Sequence, residues 1–514
     1  MKIENPELYE IYKPLRNYLR QFGIENGLYI IWAYINHFQF NHPFPNDILV
    51  HPNILNAKDI PSRGVYEWEL ALLAREIITN GQDDKIFATK SFNRWDHLHD
   101  AINKIKDFEN NAYPIISDDI SDVLKELRRI SHRQFPWQLK QNIGTSQFIR
   151  YFKIYNNPRI ADIIKNKIGL SVHQWYLIGT AITGAILSHT KMNLDPEITI
   201  SDITKKHFDI FLSLTSVSLD GIREIIDRDV KLDDEFVYTF NPLEYYPLIS
   251  IGQYYYCPII NFLLWRTTSG LYFDVVDDPR FGDPYGKSFQ DYIEEISLKI
   301  LNPKITNIIP EQKYKANGNV KDSIDFIISQ KNSAIFCEAK TKRISTKSKS
   351  QLISNEAIDK DLDVLARDIT QAYLTFEDYR KNYYNHFPYK KDIKIFILLT
   401  TLDEWYLMGE DLKNLDRKVR DCTIKKGLDT KIVDDFPFAV CSTVYYEYLM
   451  QVLNNHPIEE IMQKWFVPEK NGYEFNHFIT TEYNKELKNL EYFFPEDFEK
   501  IYPTIIFPKK NAIV

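Results

Sequence analysis

At 514 residues the chain exceeds what one hydrophobic core organises, so roughly two to four domains are expected. A content of 44% hydrophobic and 14% aromatic residues excludes wholesale disorder, because that much apolar surface offsets the entropy lost on folding. The net charge of −8 excludes a surface that coats polyanions generally, so a nucleic-acid enzyme of this composition needs a local basic patch.

The first 235 residues carry the apolar periodicity of helices, as in Ile120 to Ile130 and Trp175 to Leu187, with prolines 43, 45, 52 and 61 marking an irregular connection. Near Glu235 the chemistry changes. Phe236 to Phe240, Tyr254 to Tyr256 and Leu271 to Phe273 bring aromatic and β-branched residues, read as short strands linking two domains over 236–275. A helix follows with Phe289, Ile293, Ile296 and Ile300 on one stripe.

Ile324 to Ile328 and Ala334 to Ala339, joined by a polar turn, predict a hairpin. A long helix through Leu362, Leu365, Ile369, Ala372, Tyr373, Phe376 and Tyr379 then leads to a buried strand, Ile393 to Leu399. Strand, helix, strand implies a crossover that packs the helix on the sheet. Phe438 to Ser442 adds a strand and Val444 to Leu453 a helix. The predicted organisation is a helical domain (1–235), the β-rich connection, a mixed α+β or α/β domain (276–455) and a helical extension (456–514).

Asp325, Glu338 and Lys340 sit in hairpin strands that are otherwise almost wholly apolar, where charge is costly unless paired or bound to metal. Alternation along the strand puts Glu338 and Lys340 on one side, with the Ala339 carbonyl nearby, and antiparallel pairing brings Asp325 beside them. Two carboxylates and a main-chain oxygen suit Mg²⁺, or Mn²⁺, which takes its other ligands from water and phosphate. Lys340 would position or deprotonate the attacking water in phosphodiester hydrolysis. Six further acid-x-lysine triplets, at Asp83, Asp229, Glu311, Asp411, Asp416 and Glu486, lie in polar or helical surroundings and read as solvated faces.

In this order the residues resemble the PD-(D/E)xK, restriction-endonuclease-like nuclease superfamily, over about residues 276–450. The resemblance implies a mixed β-sheet core flanked by helices, with Asp325 and Glu338 as ligands of the divalent ion and Lys340 assisting water. In Gly286-Lys287-Ser288-Phe289-Gln290-Asp291-Tyr292, Gln290 stands where such nucleases often carry glutamate, and Glu294, one turn on, is the candidate replacement. Gln371 resembles the glutamine that several relatives direct at the active site. The architecture also resembles bacterial nucleases with a large helical region, which implies defence against phage or other foreign DNA.

Lys342, Arg343, Lys347 and Lys349 form a basic, hydroxyl-rich segment directly after Lys340, read as a flexible loop contacting phosphates. Arg129 and Arg133, among aromatics, form a second candidate nucleic-acid surface. DNA is the favoured substrate over RNA, and a partner protein or a second copy of the chain is the role left to the helical region, beside sensing or nucleic-acid binding. The alternative is an inactive nuclease-fold module that binds nucleic acid or protein.

Four scattered cysteines suggest neither a zinc ribbon nor a disulfide framework. The absence of HExxH, GxxxxGK[ST] and GxSxG disfavours the chemistries those motifs carry. With no apolar signal core and no long uncharged run, a cytoplasmic protein without membrane partners is expected.

Overall fold

In the computed structural model the chain is described over residues 2–54, 56–83, 87–116, 123–139, 144–193, 203–352, 354–467, 474–487 and 495–501. The start of the predicted helix at 120–130, and most of the last twenty positions, lie outside these. The chain divides into two units. One is Met1–Phe281 with the described residues of Ser350–Ile353 and Glu496–Val514; the other is Gly282–Lys349 with the described residues of Ser354–Pro495. Among the described residues no helix is long and apolar enough to cross a membrane.

The first unit is mostly helical. Asn5 caps the helix Pro6–Leu19 by accepting from the amides of Glu7 and Leu8, and the helix buries Leu8, Tyr12, Leu15 and Leu19 at three- and four-residue spacing. Ser171 and Gln174 form a capping box that starts Val172–Ser188. Two buried ion pairs lie in the unit's interior. Arg75 meets Glu76 at 3.0 Å while Tyr12 donates to the same carboxylate at 2.6 Å, and Arg266 grips Asp274 through both guanidinium nitrogens at 2.6 and 2.8 Å. A small four-stranded sheet, ordered Lys191–Met192, Tyr254–Tyr256, Leu248–Ile251 and Ser216–Ser218, completes the unit.

Residues 236–275 therefore belong to the first unit and form no separate connection. Two of their three expected strands are something else. Phe236 to Phe240 is a turn, because Phe236 plugs the helical core edge-on to Tyr12 and Phe108, with ring centroids 5.6 and 5.5 Å away. Leu271 to Phe273 is helical, in a 3-10 turn (Ser269–Leu271) running into Tyr272–Val275. Aromatic density there marked burial and not strand.

The second unit is built on a mixed five-stranded sheet. Its elements are α1 (Gly282–Ile300), β1 (Asn307–Pro310), β2 (Lys313–Ala316), β3 (Asn319–Asp322), β4 (Phe326–Ser329), β5 (Ser333–Lys340), α2 (Glu356–Arg380), β6 (Lys394–Thr401), α3 (Glu410–Lys425), β7 (Phe438–Ser442), α4 (Thr443–Val452), α5 (Ile458–Trp465) and α6 (Phe475–Glu482). The sheet order is β7-β6-β5-β4-β1; β5, β6 and β7 run parallel, and β4 is antiparallel to both β5 and β1. The expected hairpin is β4–β5, and the expected crossover is β5–α2–β6.

Strand alternation sorts the two faces. Ile327, Ala334, Phe336, Ile397 and Leu399 share one core with Leu362, Leu365, Ile369 and Phe376 of α2. Helices α1 and α4 pack on the other face and are joined by a buried hydrogen bond from Tyr292 Oη to Glu447 Oε1 at 2.7 Å. Helices α5 and α6 belong to this unit and not to a separate C-terminal extension. The polar hairpin β2–β3 turns at Asn317 and Gly318, whose φ angles of 52° and 82° are the left-handed values a two-residue hairpin turn needs.

Candidate active site

The register fixes which side chains meet. Phe326 pairs with Cys337 on one side and with Pro310 on the other. Continuing the β4–β5 ladder by one residue puts Asp325 opposite Glu338, and on the other side of β4 Glu311 follows Pro310. Residues directly opposite project to the same face. Asp325 and Glu338 thus share the face that α2 covers, just where its apolar core ends, with Glu311 following the neighbouring strand β1.

Asp325 and Glu338 are each only 8% exposed. Asp325 Oδ2 accepts from the Ala339 amide at 2.8 Å, and Lys340 Nζ donates to Glu338 Oε1 at 2.5 Å. In a strand the N–H and C=O of one residue point toward the same neighbour. The Ala339 carbonyl is therefore directed to the Asp325 side, as a third oxygen beside the two carboxylates.

Burial pushes the Asp325 carboxyl up to about 7, with the Glu338 charge adding to the effect and Lys340 and the Ala339 amide opposing it. Burial also raises Glu338, against the pull of Lys340. Lys340 shows the converse. Burial alone would lower it, but Glu338 and Asp325 outweigh that and hold the ammonium charged well above its ordinary range. Asp368 of α2 joins the group: burial raises it, Lys340 stabilises its charge, and it in turn acts on Lys340 and Glu338.

A divalent cation fits this donor set. The two buried carboxylates are costly as anions, and a cation removes that cost. Among the described residues no three His, Cys, Asp or Glu side chains converge on one metal position. The fit is therefore to a hard ion held by two carboxylates and a carbonyl that keeps several of its waters, as Mg²⁺ does.

Not every expected residue joins the site. Glu294 is half-buried on α1, and its carboxyl is raised by burial and by its neighbour Asp291; it is not among the charges acting on Asp325 or Glu338. Gln371 is exposed on α2, one turn beyond Asp368. Two acids that sequence reasoning passed over do join. Asp368 was hidden in a helix whose periodicity was its only visible feature. Glu311, set aside as a solvated face, follows β1, and its charge acts on both Asp325 and Glu338.

The segment after Lys340 is anchored, against the expectation of a flexible loop. Ile344 is buried in the core, the Ser345 amide and Ser348 hydroxyl both donate to Asp361 Oδ2 at 2.7 Å, and Thr346–Ser350 is a short helix. Lys342 lies 3.5 Å from Asp361, and Arg343 is largely buried 3.2 Å from Asp403. Lys347 is exposed and Lys349 half-buried. The second basic cluster is interior to the first unit. Arg129 pairs with Glu126 at 3.1 Å beneath the ring of Tyr238, and Arg133 pairs with Glu109 at 2.8 Å. Those arginines are turned to half-buried acids and present no phosphate-binding surface.

Comparison of the chain with protein-family profiles, with characterised proteins and with solved structures yields no match.

Proposed function

We propose that the second unit is a restriction-endonuclease-like nuclease domain that hydrolyses phosphodiester bonds with Mg²⁺ or Mn²⁺, with DNA as its preferred substrate. One observation carries this reading: two buried carboxylates and a charged lysine meet at the end of a strand whose other side chains are buried and apolar or small. Such an arrangement is unfavourable for folding alone and becomes favourable with a cation and a phosphate.

In this reading Asp325, Glu338 and the Ala339 carbonyl hold the cation. The bound ion supplies Lewis-acid polarisation of the phosphate and a more acidic water. Lys340 stays protonated beside Glu338, so it orients the water and offsets negative charge at phosphorus and does not take the proton. The Asp368 charge adds to those that keep Lys340 protonated. Water attack forms one P–O bond and releases a proton to solvent, the bond to the leaving sugar oxygen breaks, and that oxygen takes a proton from solvent. Lys347, exposed in the short helix that follows Lys340 in sequence, is the residue expected to meet a flanking phosphate.

Incubating the full-length chain with plasmid DNA, single-stranded DNA and RNA, with Mg²⁺, Mn²⁺ or EDTA, tests the reading. Cation-dependent cleavage lost in Lys340→Ala supports it. Binding without cleavage under every condition contradicts it and favours a binding module.

A further inference from the structure

Glu311, directly after β1, is turned toward two partners on α1. Lys287 Nζ sits 2.5 Å from Glu311 Oε2, and the Gln290 amide donates to the same oxygen at 3.3 Å while its carbonyl accepts from Lys287 at 2.8 Å. Lys287 and Gln290 are one turn apart on α1, so the three side chains close a ring. This explains a glutamine at position 290: a glutamate there would repel Glu311, whereas an amide donates to it.

Asp325 and Glu338 both feel the charge of Glu311 as repulsive. With no cation between them, that repulsion and the Lys287 ammonium together favour the outward position of Glu311. A divalent ion between Asp325 and Glu338 reverses the sign of the field at Glu311. Its carboxylate is 24% exposed and Lys287 is 47% exposed, so both have room to move.

We propose that Glu311 is the third carboxylate of the cation site, parked on Lys287 and Gln290 until the ion arrives, and that it takes the part expected of Glu294. This rests on the nuclease reading of the same site. It adds a place for Lys287, which competes with the cation for Glu311.

Isothermal titration of Mn²⁺ into the full-length chain at pH 8, with the fold of each variant checked by circular dichroism, tests it. Expected are a Kd weaker by about tenfold or more in Glu311→Gln, tighter by about threefold in Lys287→Met, and binding abolished in Asp325→Asn. An unchanged Kd in both Glu311→Gln and Lys287→Met, with Asp325→Asn still abolished, overturns the role of Glu311 and leaves the nuclease reading standing. A loss seen in Glu294→Gln in place of Glu311→Gln does the same. A wild-type chain that takes up no Mn²⁺ overturns both.

Discussion

Lys340 and Glu338, two residues apart on one strand face, form a 2.5 Å ion pair in which the lysine is 32% exposed and the carboxylate 10%. The amine reaches out of the sheet and the acid does not. Lysine is thus the solvent-side member of the group, placed between a buried carboxylate and whatever enters the site.

Replacing Lys340 with alanine separates chemistry from cation binding. Cleavage is expected to fall by about 100-fold or more, the size typical of losing a charged group that acts on the transition state. Mn²⁺ affinity is expected to hold or improve, because the variant removes a competing positive charge. The cation-free variant is expected to be less stable by about 1–3 kcal/mol at pH 8, read by urea unfolding, since buried acids lose their counter-charge but relieve part of the cost by protonation.

Asp325 gives the pH dependence. Its folded value near 7 lies above the ordinary aspartate value of about 4, so the folded chain binds the extra proton between them. The stability contributed by protonation is complete below about pH 4 and is lost as pH rises through about 7. Asp325→Asn, which still accepts from the Ala339 amide, is expected to stabilise the cation-free chain at pH 8 by about 1–3 kcal/mol. Mn²⁺ affinity of the wild type is expected to fall as pH drops below 7, because proton and cation compete. Thermal unfolding and titration across pH 5 to 8 read both trends.

In the proposed reaction Asp368 is expected to act through the charge of Lys340. Asp368→Asn is expected to reduce kcat by about 3- to 10-fold and leave KM nearly unchanged. Removing this negative charge lets the lysine lose its proton more readily, so the alkaline limb of the pH–rate profile moves to lower pH. A purely structural role would leave that limb in place.

The two basic segments are expected to behave oppositely. Lys347→Ala weakens nucleic-acid binding across sequences and lowers the salt slope of log Kd by about 1. Arg133→Ala instead removes the partner of half-buried Glu109 in the helical unit and is expected to cost about 2 kcal/mol of its stability. Filter binding at several salt concentrations and urea unfolding distinguish the two.

Much of the second unit was legible because its signals are local. The apolar runs around Phe336 and Ile397 and the long stripe from Leu362 to Tyr379 state strand and helix by period alone, and the acids of β4 and β5 stand out against them. Glu311 was not legible, because its significance depends on a pairing between β1 and β4 that no local pattern in Asn307–Pro310 announces. Arg129 and Arg133 misled for a related reason. An arginine beside aromatics reads as a surface for bases until a distant acid such as Glu109, or a ring such as Tyr238, is found to hold it inside. The strand forecast at Phe236 failed because burial in a helical core and burial in a sheet leave the same aromatic composition.

The most direct measurement is the position of Mn²⁺ located by anomalous diffraction in crystals of the full-length chain. A peak between the carboxylates of Asp325 and Glu338, beside the Ala339 carbonyl and absent in Asp325→Asn crystals, is the predicted result. Saturating Mn²⁺ that leaves this position without a peak, with the Lys340–Glu338 pair intact, would contradict the account.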